Sequence, residues 1–191
     1  MVLKEFTGLT EEAHKLLFDD FSAEQIFPAE RFDNARKNGH YNIYYFCDDS
    51  NNRIGYAFCG YAGENAVLLD YIGISKELRG KGMGSKLIIQ LRKILSPKGV
   101  LVEVEPEPEG GTPTESRYRF YKRLGFEKQN ISYILPERDE ENNVILTPYS
   151  IFYGDSDHEK RQLGAGVLIG MFREYTEKVL PGAMPEIKDI V

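Results

Sequence analysis

Gly80, Gly82 and Gly84 alternate with Lys81 and Met83 directly after Arg79 and before an amphipathic stretch. Without a Cβ, glycines let successive backbone N–H groups converge on one point, and a helix that starts there aims its positive dipole end at the same place. The chemistry suits a phosphate or pyrophosphate. Two common nucleotide loops fail on spacing. In G-x-x-x-x-G-K-[ST] the second glycine, counted from Gly80, falls on Ser85, and in G-x-G-x-x-G the third glycine falls on the same serine. Residues 75–79 also separate the preceding apolar run from the glycines.

The elements that must position this loop can be read on either side of it. Leu68, Leu69, Tyr71, Ile72 and Ile74 form a buried-strand run, and Met83, Leu87, Leu91 and Leu95 recur at i, i+4, i+8 and i+12, on one helix face. Ser96, Pro97 and Gly99 stop that helix, and residues 100–105 read as a second strand. Strand, helix and strand in this order make a crossover unit, so the two strands are expected to be parallel.

Arg79-Gly80-Lys81-Gly82-Met83-Gly84 resembles the R/Q-x-x-G-x-G/A signature of the GNAT superfamily, the acyl-CoA-dependent N-acyltransferases. Phe120-Tyr121-Lys122-Arg123-Leu124-Gly125-Phe126 is similar to a second family segment, F/L-Y-x-x-x-G-F. The resemblance covers about residues 1–154. It implies that amides of Gly80, Lys81, Gly82, Met83, Gly84 and Ser85, with Arg79, bind the pyrophosphate of coenzyme A. It also implies that the two parallel strands splay, admitting the pantetheine arm beside Ile72, Gly73 and Ile74. Many family members carry an asparagine seven residues before the tyrosine; here that position is Thr114, a departure that leaves backbone binding intact but not the usual side-chain contact.

By the same resemblance Tyr121 protonates the leaving thiolate, a step that a phenol of pKa about 10 can perform for a thiol of about 8.5. An acceptor ammonium, with pKa about 10.4 for a lysine-like amine, must also lose a proton, so a carboxylate or a water relay is needed. Glu103 and Glu105 lie two apart on one strand face, and Asp70 lies on the neighbouring strand. Glu103 resembles a glutamate that some GNAT enzymes carry at this place and ranks first as base, followed by Asp70 and then Glu105. Glu107 and Glu109, with the acidic turn around Asp139 and Glu140, add negative charge that can draw a cationic amine.

The rest of the chain frames these segments. Opening residues 2–6 read as a strand, 10–21 as a helix capped by Thr10, and 29–37 as a second helix. Residues 41–47 and 53–61 form a hairpin leading into the strand at 68, and a helix at 114–124 precedes strands at 126–135 and 143–154. From Asp155 or Ser156 a C-terminal helical extension is expected to run to Leu180, with Leu163, Val167, Leu168, Met171, Tyr175 and Val179 inward. It either packs on its own subunit or makes a homodimer contact. The 191 residues read as one α/β domain: a mixed, mainly antiparallel sheet of about seven strands with helices on both faces.

A net charge of −6 argues against nucleic acid as partner. No apolar run reaches the roughly 20 residues that span a bilayer and no signal-peptide pattern opens the chain, so a cytoplasmic location is expected. Cys47 and Cys59 read as buried hydrophobes, and His14, His40 and His158 lack metal-ligand spacing, so no metal is expected. The expected activity is direct transfer of an acetyl group from acetyl-CoA to the amine of a small molecule or peptide. The alternative is a non-catalytic GNAT-fold module that binds coenzyme A or a protein partner.

Overall fold

The computed structural model describes residues 1–105, 113–138, 141, 143–155, 161–179 and 184–190; the side chains of Glu24, Pro113, Thr114 and Arg138 lie outside that description. Chain order gives β1 (Val2–Glu5), α1 (Thr10–His14), α2 (Ala29–Lys37), β2 (Tyr41–Cys47), β3 (Arg53–Tyr61), β4 (Ala66–Ile74), α3 (Met83–Leu95) and β5 (Gly99–Val104). It continues with α4 (Pro113–Arg123), β6 (Glu127–Lys128), β7 (Ile131–Arg138), β8 (Val144–Gly154), α5 (Ala165–Lys178) and β9 (Glu186–Asp189).

One sheet collects all nine of these strands in the order β1-β2-β3-β4-β5-β8-β7-β9, with the short β6 beside β8. Neighbours are antiparallel except β4 and β5, as the crossover through α3 requires. Alternating side chains feed two cores. On one face α3 and α4 set Leu87, Leu91, Tyr118 and Tyr121 against Ala57, Val67 and Val102. On the other α1, α2 and α5 set Ala13, Phe32, Leu168 and Phe172 against Tyr41, Phe58 and Leu68.

The central pair carries the feature that shapes the site. β4 pairs with β5 only through Ala66, Val67 and Leu68, opposite Gly99, Val100 and Leu101, although β4 continues to Ile74 and β5 to Val104. On its other side β4 bulges: Cys59 faces Leu69 and Phe58 faces Tyr71, so Asp70 has no partner in β3. A bulge adds one residue to one strand, bends it and disturbs the alternation of faces. Leu68 and Tyr71 consequently share the α1/α2/α5 face, while Leu69, Ile72 and Ile74 face α3 and α4. Strict alternation would have put Asp70 and Ile72 on the same side.

Several boundaries differ from those read in the sequence. Among the described residues nine strands replace about seven, because residues 126–135 divide into β6 and β7 and because β9, with Ile187 as its one buried residue, was not foreseen. α1 stops at His14, and Leu17–Asp19 forms a separate 3-10 turn instead of continuing the helix to Phe21. Leu9, not Thr10, occupies the N-cap of α1, and the Thr10 hydroxyl meets Asp33 at 2.5 Å.

The C-terminal helix begins at Ala165, after an extended Gly164, and ends at Lys178. Val167 is exposed and Phe172 is buried in its place. The expected end at Leu180 and the expected cap at Ser156 lie outside the described residues, as do Glu107, Glu109, Asp139 and Glu140. α5 packs on the sheet of its own chain, through Leu168, Phe172, Tyr175 and Val179. Phe172 is 2% exposed, so Phe172→Ala should remove about 3–5 kcal/mol of stability in urea unfolding. A variant as stable as wild type would show that α5 is dispensable to the core.

Candidate active site

The glycine loop adopts the conformation that its composition demands. Gly80 and Gly82 have φ of +73° and +78°, in the left-handed region that other residues rarely occupy, and Gly82 is the N-cap of α3. Amides in the first turn of a helix have no carbonyl one turn earlier to bond, and the first helical bond here runs from Lys86 N–H to Gly82 O at 3.2 Å. Met83 is buried, so it offers the loop its amide and the core its side chain; Lys81 is exposed. Thr114 stands in the first turn of α4, and its side chain lies outside the described residues.

Arg79 has partners within the fold. Its guanidinium pairs with Asp20, and its Nε donates to Ile74 O at 2.9 Å. Asp20 also accepts from the Tyr56 hydroxyl at 2.7 Å. The segment after α1 is thus tied to the end of β4, and a Cβ on Gly73 would collide with the Tyr56 ring and Asp20.

Tyr121 lies on α4, 5% exposed, with ring centroids 5.4 Å from Phe126 and 6.1 Å from Phe152. Burial pushes its phenol up to about 12, against the opposing charge of Arg117, so the hydroxyl keeps its proton at neutral pH. Its hydroxyl makes no hydrogen bond to a described residue.

Asp70 and Glu103 belong to the opposite face, where they line a cleft of about 860 Å³ together with Glu105, Glu137, Tyr133, Tyr149 and Tyr175. Tyr41 and Tyr175 each donate a hydroxyl to one oxygen of Asp70, at 2.6 and 2.7 Å. Burial raises its carboxyl to about 8; the two tyrosine bonds oppose the shift, and the charge of Glu103 adds to it. Glu103 accepts from Tyr133 and is raised to about 7, again chiefly by burial, with the tyrosine bond opposing. Glu105 is paired instead with Arg117.

The structure therefore divides the expected residues into two sets. The loop, the end of β4 and Tyr121 belong with α3 and α4, and the carboxylates belong with α1, α2 and α5; β4 and β5, whose pairing ends at Leu68 and Leu101, lie between the two sets. Sequence reasoning missed the tyrosines. Tyr175 stands 105 positions from Asp70, and the available hint was composition, 12 tyrosines and no tryptophan. Among the described residues no group of three or more His, Cys, Asp or Glu side chains could hold a metal ion.

Comparisons with known proteins agree with this architecture. The family model "Acetyltransferase (GNAT) domain" matches residues 40–128, which contain β4, the glycine loop, β5 and Tyr121. "Putative acetyltransferase YjbC" of Bacillus subtilis (strain 168) is 45% identical over 71 residues, 37% of this chain and 36% of that protein. A GNAT-family protein of Bacteroides thetaiotaomicron has a similar structure, with a TM-score of 0.74 at 18% identity, over 96% of this chain and 99% of its own. Arabidopsis thaliana NAA60, solved with acetyl-CoA, has a TM-score of 0.56 at 17% identity, over 79% of this chain and 96% of its own. Over residues 40–128 the chain is thus similar to GNAT acetyltransferases, and its fold is that of solved GNAT proteins.

The raised carboxyl of Asp70 fixes the sign of one pH dependence. The folded chain keeps a proton on Asp70 up to about 8, whereas the unfolded chain gives it up near 3.8, so raising the pH between these values favours unfolding. Urea midpoints of wild type should therefore fall more steeply from about pH 5 to 8 than those of Asp70→Asn. Parallel curves would mean that Asp70 is ionised in the folded protein.

Proposed function

We propose that the chain is an acetyl-CoA-dependent N-acetyltransferase that joins donor and acceptor in one ternary complex. The parting of β4 from β5 after Leu68 supports this reading, because donor and acceptor could meet there, between a loop suited to an anion and a cleft suited to a cation. Coenzyme A would lie on the α3 and α4 side, its pyrophosphate on the amides of residues 80–85 and its pantetheine along β4 at Ile72, Gly73 and Ile74. The same β4 edge would supply an N–H to polarise the thioester carbonyl. When bound, the cofactor supplies the activated acetyl group.

From the opposite side the acceptor amine enters the acidic cleft. Glu103, poised near neutrality, takes the ammonium proton and leaves the nitrogen lone pair free to attack. Tyr121 would serve as the proton donor for the thiolate that leaves. Tyr133 orients Glu103 and favours its ionised form, which is the form that can accept. Asp70 stays as the second candidate base. No nucleophilic cysteine or serine is needed, since holding both reactants in place makes the attack effectively unimolecular.

Two substitutions test the assigned roles. Tyr121→Phe should lower kcat by about 100-fold, within the usual range for a general acid, and leave acetyl-CoA affinity nearly unchanged. An equal loss of affinity would make Tyr121 a packing residue. Glu103 works as a base only when ionised, so turnover should rise with pH through about 7 and that limb should vanish in Glu103→Gln. Both are read in an acetyl-CoA assay against amines, polyamines, aminoglycosides and peptide N-termini. Coenzyme A binding with no transfer to any of them would favour the non-catalytic module.

A further inference from the structure

We infer that the acidic cleft takes an aliphatic acceptor with at least two ammonium groups, one facing Glu103 and a second held by Asp70. The inference rests on reading this cleft as the acceptor side, and it starts from how its carboxylates are partnered. Asp70 accepts from Tyr41 and Tyr175, Glu103 from Tyr133, and Glu137 from Tyr149 at 2.9 Å. All of these donors are phenols. Burial, reinforced by the charge of the neighbouring carboxylates, holds Tyr41, Tyr133 and Tyr175 well above the ordinary phenol range, so they orient negative charge without neutralising it.

Glu105 shows the contrast, since it has Arg117 as counter-ion. Arg31, the one basic residue lining the described cleft, stands 5.5 Å over the ring of Phe27. Asp70 and Glu103 on the diverging strands and Glu137 on β7 thus face the cavity with phenols, and no cationic side chain among the described residues, as hydrogen-bond partners. Burial holds a proton on Asp70 in the empty cleft, and an ammonium group beside it would favour release of that proton and the charged pair.

Asp70 is placed to meet that cation. The β4 bulge leaves it without a partner in β3, and its two tyrosine bonds fix the plane of the carboxylate while each oxygen keeps a lone pair. Leu68 and Phe172 supply apolar wall beside it, which suits methylenes linking two amines. A cleft of about 860 Å³ is also far larger than a single amine needs. An acceptor bearing a carboxylate of its own would meet like charge here.

Isothermal titration of the full chain without acetyl-CoA compares diaminohexane with hexylamine, two ligands matched in carbon chain. Diaminohexane should bind about tenfold more tightly or better, and the ratio should fall toward one in Asp70→Asn and partway in Tyr175→Phe. A wild-type ratio near one overturns the inference without recourse to any variant. A ratio that survives in folded Asp70→Asn also overturns it, because general attraction to an acidic surface would then suffice. Diamine selectivity without acetyl transfer to diaminohexane would sink the transferase reading and leave the two-ammonium cleft standing.

Discussion

Two parallel strands that stop pairing halfway along their length set the rest of this structure. β4 and β5 share three residue pairs and then separate, and the separation begins where β4 bulges at Asp70. A bulge bends its strand and increases its twist, which gives the divergence a local cause. It also moves one face relative to the other, so that Leu68 and Tyr71 point one way while Ile72 and Ile74 point the other. One extra residue thereby opens the sheet and places a carboxylate at the opening. Unpaired strand edges are costly in a protein interior, and a ligand that bonds along such an edge removes that cost.

Electrostatics divides the two sides of the opening. On the α3 side the loop offers backbone N–H groups and a helix N-terminus, which favour an anion although the chain as a whole carries −6. On the opposite side carboxylates held by tyrosines favour a cation. Phenols suit this task because they direct the lone pairs of a carboxylate without cancelling its charge. Two carboxyls raised to about 7 and about 8 thus sit within reach of each other's field. The segment beyond residue 154 takes part in this design: α5 brings Tyr175 to Asp70, and β9 pairs with the strand that carries Tyr133.

Local requirements were legible in the sequence and long-range ones were not. Gly80 and Gly82 could be read because left-handed backbone selects glycine, and α3 because its apolar residues recur at helical spacing. Glu103 and Asp70 were placed on neighbouring strands by the crossover rule, and both line the cleft. The bulge escaped notice because one added residue leaves no compositional mark. Tyr41 and Tyr175 escaped because partnership across the fold has no spacing rule, and the pairing of Arg79 with Asp20 escaped for the same reason. β9 carries a single buried residue, too little for any periodicity to register.

Amide hydrogen exchange with and without coenzyme A tests most directly whether the divergent strands and the loop form one cofactor slot. The account predicts slower exchange on binding at two stretches together, the β4 edge from Asp70 to Ile74 and the loop from Gly80 to Ser85, with little change in β1 and β2. Protection confined to the loop, or found away from both stretches, would contradict it.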